Sequence, residues 1–103
     1  MVAPEKYRVL IQPDASDDII AICAYIEQTS PQNAALVASR LLDAIDSLEI
    51  LPHRYKIHRW NSQSDRIVRS MPVPPFIVLY RIREQVRAID VIAVRHGAQK
   101  PPR

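Results

Sequence analysis

The chain has 103 residues, of which 48% are apolar, and its net charge is +3. This length supports one domain, and this apolar content excludes a chain that is disordered throughout. No apolar stretch reaches the roughly 18 residues that span a bilayer, the first residues lack the apolar core of a signal peptide, and the single cysteine, Cys23, cannot form an internal disulfide. We therefore expect a cytoplasmic protein without a membrane partner.

The first half of the chain predicts one strand and two helices. Alternation over residues 7–11 is typical of a short strand. Apolar residues at steps of three and four then predict helices over residues 14–29 and 31–50, with Asp14 and Ser30 as N-caps. Because almost no loop separates the two helices, we expect an antiparallel helical hairpin. Its apolar stripes are Ala15, Ile19, Ile22 and Ile26 in the first helix, and Ala34, Val37, Leu41, Ile45 and Leu48 in the second.

The second half of the chain predicts strands. Residues 67–71, 76–82 and 86–94 have the apolar, β-branched composition of strands, and the last two form a hairpin. The prolines of "MPVPP" remove backbone donors, so we do not expect this segment to pair regularly. Residues 53–65 are compatible with either a short edge strand or an ordered loop.

These elements together predict an α+β fold. It consists of an N-terminal strand, an antiparallel helical hairpin and a small antiparallel sheet of about three further strands. The first strand has to pair at an edge of that sheet or beside the last strands. We expect residues 1–97 to form the single domain and residues 98–103 to form a basic C-terminal tail.

Charge is unevenly distributed along the chain. Residues 1–52 carry a net charge of −5 and residues 53–103 a net charge of +8. This segregation predicts a surface that meets an anion or an acidic partner, and the alternative is that basic residues only decorate solvated strand faces. Arg69 and Arg81 stand out because each interrupts an apolar strand. Each suits a phosphate contact or a structural ion pair, for example with Asp90 on the neighbouring strand.

Several kinds of chemistry lack the residues that they need. His53 and His58 are five residues apart in a segment without clear helical periodicity, so we expect no metal site. The chain has no Gly-x-Ser-x-Gly nucleophile motif, and its one glycine, Gly97, cannot form a phosphate-binding glycine loop. We expect no cofactor. Gly97 follows His96 where the last strand ends, and we expect it to permit a backbone turn there.

The order of these features resembles the RelE/ParE superfamily of bacterial toxins over nearly the whole chain. The likeness is carried by the Pro-x-Ala that follows the first strand, the acidic helix start, "SP" before the second helix, "VPPFIVLYRI" and "IAVRHG". It implies the toxin component of a type II toxin–antitoxin, or plasmid-stabilisation, module that a co-encoded antitoxin neutralises. A toxin–antitoxin heterotetramer is one assembly compatible with this resemblance.

The resemblance has two branches with different targets. RelE-like toxins cleave mRNA on the ribosome, whereas ParE-like toxins inhibit DNA gyrase. RelE has an arginine in the strand that matches "FIVLYRI", where this chain has Ile77, and it has a tyrosine beyond the last strand that "AQKPPR" lacks. The resemblance therefore favours a ParE-like inhibitor of DNA gyrase, and the alternative is a RelE-like mRNA endonuclease with the ribosome and mRNA as partners.

The residues that perform either function are less defined. Catalytic residues stay unknown, and His96 and Arg69 are the candidates if the chain cuts RNA. Contact with the antitoxin or the target is predicted for seven basic residues, namely Arg59, Arg66, Arg69, Arg81, Arg95, Lys100 and Arg103.

The charge of the second half and the resemblance predict a tight complex with an acidic, partly disordered antitoxin segment that folds on binding. Copurification of the protein encoded next to a tagged toxin, repeated at high salt, tests this expectation. Failure to copurify at any salt concentration would reject the pairing. Survival at high salt would assign the affinity to apolar contacts rather than to charge.

Overall fold

The computed structural model describes residues 6–61 and 66–97. It has the predicted α+β fold, with two helices and one five-stranded sheet. The elements in chain order are β1 (Arg8–Ile11), α1 (Pro13–Glu27), α2 (Pro31–Asp46), β2 (Ile57–Asn61), β3 (Arg66–Val73), β4 (Phe76–Arg83) and β5 (Ala88–His96). Short 3₁₀ turns occupy Ser47–Glu49, Pro52–Arg54 and Glu84–Val86.

The strand order across the sheet is β1-β5-β4-β3-β2. The β1–β5 pair is parallel and the other three pairs are antiparallel, so the sheet is mixed. As predicted, β1 lies at an edge beside the last strand. The ambiguous segment contains an edge strand, β2, so four strands rather than about three follow the helical hairpin.

The helix starts differ in how they are capped. Ser30 caps α2 as predicted, since its Oγ accepts a hydrogen bond from the backbone N–H of Asn33 at 3.3 Å. The predicted Asp14 cap of α1 is wrong, because the helix begins one residue earlier, at Pro13, with Gln12 in the N-cap position. Proline suits this first position because its missing N–H has no partner there. Asp14 lies in the first turn, where its charge faces the positive end of the helix.

Helix α1 runs along the edge of β5 beyond the point where β1 ends. The carboxylate of Asp18 accepts a hydrogen bond from the backbone N–H of Val94 at 2.9 Å. A side chain thus satisfies an edge donor that no strand reaches. Helix α2 ends at Asp46, and a 3₁₀ turn carries the chain to Glu49 in place of the last helical turn that we predicted.

The expectation that "MPVPP" does not pair is wrong for Pro72, which lies in β3 opposite Ile77. The pairing of β2 with β3 reaches only Arg69, and beyond it Ser70 donates its N–H to Lys56 O at 3.0 Å. Because the N–H groups of residues two apart point the same way, the missing N–H of Pro72 falls on this unpaired side of β3. Proline therefore removes no bond between β3 and β4.

Strand β5 ends at His96, directly before Gly97 and two residues beyond the predicted range of 86–94, and Gly97 has a different role from the one we expected. Its backbone is not in the left-handed region. Instead, its N–H donates to Pro75 O at 2.6 Å, and a Cβ at this position would lie 3.0 Å from the same oxygen. Glycine suits this position because two backbone segments approach each other closely and a Cβ would crowd the Pro75 carbonyl.

The helical hairpin covers one face of the sheet, and both predicted apolar stripes face it. The fully buried side chains of this core include Leu41, Ile45, Leu48, Val78, Tyr80, Ile89 and Val91. Among the residues that the structure describes, neither helix has the length and apolar character of a membrane span.

Tyr80 is the largest fully buried side chain, and its hydroxyl donates a hydrogen bond to Pro52 O. Burial disfavours the phenolate and raises the pKa of Tyr80 to about 12. This contact fixes the connection between α2 and β2 against the centre of the sheet.

We expect Tyr80→Phe to lower the free energy of unfolding by about 1 kcal/mol at pH 8, since one hydrogen bond is lost. This difference shrinks as the pH rises from about 10 towards about 12, because the unfolded wild-type protein ionises Tyr80 while the folded protein keeps the proton. The contribution of Tyr80 to wild-type stability is thus lost as the pH rises, whereas the Tyr80→Phe variant has no phenol at this position that could ionise. Urea unfolding of both proteins from pH 8 to 11 measures the difference, and a constant value would contradict the argument.

Candidate functional site

The face of the sheet that the helices leave uncovered carries most of the strand arginines. Arg81 alternates with Tyr80 and Ile82, which pack in the core, so Arg81 points to the opposite side. Side chains of paired residues share a face, and the same surface therefore includes Arg8, Arg83 and Arg95. We call it the arginine face and define it by these four arginines.

Asp90 lies among these arginines and is almost fully buried. Arg83 holds its carboxylate with two atoms, Nε at 2.8 Å and Nη2 at 3.1 Å. Arg81, directly opposite on β4, adds its Nη2 at 3.2 Å, and Gln12 adds its Nε2 at 3.1 Å. The ion pair that we weighed for Arg81 therefore exists, and Arg83 binds the same carboxylate.

Two arginines on one carboxylate leave this cluster with a positive charge. A third arginine, Arg8, lies in the same row of the sheet as Arg83, with the fully buried Ala88 between them. Within the part of the chain that the structure describes, the side chains of Arg8 and Arg95 have no hydrogen-bond or ion-pair partner. Both are exposed, as is Arg83, so a ligand can reach two arginines that are not already engaged by Asp90 and one that is.

Arg69 lies on the opposite, helix-covered side of the sheet, because it pairs with Tyr80. Its Nη1 donates to Tyr55 O at 2.7 Å and to His53 O at 3.2 Å. The structure therefore does not bring Arg69 and Arg81 together, and Arg69 holds the backbone that leads into β2.

His96 also lies on the helix-covered side, where it pairs with Phe76 and meets that ring edge-on at a centroid distance of 5.5 Å. It lines an open cavity of about 440 Å³ between α1 and the β3–β4 turn, together with Tyr25 and Pro75. Arg69 pairs with Tyr80 of β4, and His96 pairs with Phe76 of the same strand. These two β4 residues are four positions apart, so Arg69 and His96 are separated by about 13 Å along the strands. The two catalytic candidates do not converge.

The remaining predicted contacts are described less fully. Arg59 and Arg66 have defined backbone positions in β2 and β3, opposite Val68 and Asn61, but nothing is described of their side chains. Lys100 and Arg103, with the rest of the predicted tail, lie outside the described residues.

Sequence reasoning missed three residues of the site, namely Arg8, Gln12 and Arg83. Strand alternation was a sufficient signal for Arg83, which lies two residues after Arg81 and therefore shares its face. Arg8 and Gln12 join the site only because β1 pairs in parallel with β5, and no pattern within the first twelve residues specifies that partner.

A second polar cluster lies at the end of the sheet that holds the β4–β5 turn. Glu84 accepts hydrogen bonds from His53 Nε2 and, at 3.1 Å, from the hydroxyl of Tyr7. These contacts tie the segment after α2 to the β4–β5 turn and to the start of β1. In the described ranges, no three His, Cys, Asp or Glu side chains are grouped as metal ligands would be.

Comparison with known proteins gives consistent matches. Residues 9–101 match the sequence model of the "ParE toxin of type II toxin-antitoxin system, parDE". The chain is 32% identical to the protein Y4kP of Sinorhizobium fredii, over 79% of this chain and 78% of that protein. It is 30% identical to toxin RelE2 of Caulobacter vibrioides, over 80% and 85% of the two chains. Its fold matches a chain of the chromosomal ParDE toxin–antitoxin system of P. aeruginosa with a TM-score of 0.65, at 14% identity over 88% and 96% of the two chains.

Asp90→Asn tests the charge network of the arginine face. We expect it to lower the free energy of unfolding by about 2 kcal/mol, since it leaves two partly exposed arginines beside each other without a counter-charge. Arg95→Gln is the matched control on the same face and changes stability by less than about 0.5 kcal/mol. Equal stability of the Asp90→Asn variant and the wild-type protein in urea would show that the network contributes nothing to folding.

Proposed function

This chain belongs to the ParE toxin family of type II toxin–antitoxin systems, and we propose that it acts as a ParE-like inhibitor of DNA gyrase. The observation that carries the proposal is the chemistry of the arginine face. Its described side chains on β1, β3, β4 and β5 include arginines and a single carboxylate, Asp90, but no histidine, glutamate, lysine or tyrosine. On these four strands the surface is suited to binding an anion rather than to transferring protons.

RNA cleavage through a 2′-hydroxyl needs a base, an acid and a phosphate clamp held together. Asp90 is a poor base for this purpose, because three side chains already donate hydrogen bonds to it. His96 and Arg69 lie on the other face of the sheet and about 13 Å apart along the strands. Ile77, at the strand position where the RelE pattern has an arginine, adds no charge.

The alternative function is ribosome-dependent mRNA cleavage. The identity of 30% to a protein named toxin RelE2 favours it. In that case His96 would act without Arg69, since Arg69 is engaged by two backbone carbonyls. Losing one transition-state donor typically costs about a hundredfold to a thousandfold in rate, so such a site would cleave RNA slowly.

We propose that a co-encoded antitoxin binds this chain and regulates its activity. Membership of the family supports this partner, as does the fold that the chain shares with a component of a ParDE toxin–antitoxin system. An acidic antitoxin segment has an electrostatic counterpart in the exposed Arg8 and Arg95. Residues 98–103 are proposed as a basic docking tail for gyrase.

Two assays with the purified toxin separate the two functions. We expect inhibition of gyrase supercoiling and no cleavage of translated mRNA by primer extension. His96→Ala is expected to leave the inhibition unchanged, because His96 has no catalytic role in a gyrase inhibitor. Removal of residues 98–103 is expected to weaken it.

The Arg69→Ala variant is tested in both assays. Its thermal unfolding is measured as well, because Arg69 also supports the fold. Codon-phased cleavage of mRNA that disappears in His96→Ala would overturn the proposal and make this chain a histidine-dependent RelE-type nuclease. Full inhibition by a toxin that lacks residues 98–103 would reject the docking tail alone.

A further inference from the structure

Charge in this molecule is separated into two layers. The helical layer, from Pro13 to Glu49, contains seven carboxylates and one basic residue, Arg40. The arginine face, on the other side of the sheet, has four described arginines and one carboxylate, Asp90. Near a polyanion, such a molecule orients its arginine face toward the polyanion and its helices away from it.

We propose that the arginine face binds the phosphate backbone of duplex DNA, and that the toxin thereby engages the DNA that gyrase holds. This inference deepens the proposed function and rests on it for the identity of the enzyme. It adds a nucleic-acid contact to what would otherwise be an interaction between two proteins.

The length of the face favours a polymer over a small anion. Arg8 pairs with Ala88 at one end of β5, and Arg95 lies at the other end. With the bulge in β5 taken into account, these positions are about 20 Å apart along the strand. This length corresponds to about six base-pair steps of 3.4 Å, so Arg8 and Arg95 can reach phosphates that one small ion cannot bridge.

Two of the four arginines on the face, Arg81 and Arg83, are fixed before a ligand arrives. Asp90 holds Arg83 through two atoms and Arg81 through one, and the side chain of Asp90 is only 6% exposed. Because the network has more arginine than carboxylate, it keeps a positive charge while its guanidinium groups are immobilised. Immobilised arginines lose little side-chain entropy when they bind a phosphate.

Between the arginines, the described part of the face is mostly apolar. Half-buried Ile77 and Leu79 occupy its centre on β4, and Gln12, an amide that could contact a base edge, is bound to Asp90. Contact with phosphates alone positions a protein on DNA without sequence preference. We therefore expect affinity that depends on salt and not on sequence.

Fluorescence anisotropy with a labelled 20-base-pair duplex, titrated with the full-length toxin over a series of salt concentrations, tests the proposal. We expect Arg8→Gln and Arg95→Gln each to lower the affinity about twofold to fivefold, the range of one exposed ion pair, and to reduce the slope of log K against log salt by about 0.9. The matched control, Arg40→Gln, removes the same charge from the helical layer and leaves both quantities unchanged. Thermal unfolding of each variant confirms that it is folded.

Three results would overturn the proposal. They are the absence of duplex binding at low salt, an equal loss of affinity in Arg40→Gln, and tighter binding of a single-stranded RNA of matched charge. Supercoiling assays on the same variants separate this inference from the proposed function. Inhibition of gyrase by a toxin that does not bind DNA rejects the inference and keeps the function, whereas DNA binding without inhibition rejects the function and keeps the DNA-binding face.

Discussion

The arrangement of the sheet depends on the contacts that the buried carboxylate of Asp90 makes. An ionised group at this depth costs several kcal/mol unless charges and donors surround it, and Arg81, Arg83 and Gln12 supply them. These partners come from β4 and from the residue between β1 and α1. Asp90 is therefore satisfied only when β4 and β5 are in register and the first helix starts at the correct place.

The same register makes the sheet two-sided. Tyr80 and Ile89 face the helices, while Arg81 and Asp90 face away, and a shift of one residue would exchange these two sets. Strand β5 has a bulge opposite Leu79 and Tyr80 of β4, where it contains one extra residue. This residue breaks the strict alternation of β5, and as a result both ends of the strand present apolar side chains to the core. The arginine face is thus a consequence of how the core is packed.

Two arginines that look equivalent in the sequence have different surroundings in the fold. The guanidinium of Arg69 is engaged by backbone carbonyls beneath the α2–β2 connection, and that of Arg81 by a carboxylate on the exposed face. Neither is an unpaired cation. The charge of this face that Asp90 does not engage comes from the exposed Arg8 and Arg95, near the two ends of the face.

The sequence by itself determined the two helices, the strands other than β2, and the fold class, because these elements have a recognisable local periodicity or composition. The stripes that contain Ile22 and Leu41 face the core as predicted, and Ser30 caps its helix. Tertiary structure alone decided which partner each element meets. Three features depend on contacts between residues far apart in the chain: the parallel pairing of β1 with β5, the placement of Arg69 and Arg81 on opposite faces, and the close backbone approach at Gly97. Local periodicity contains no information about those contacts.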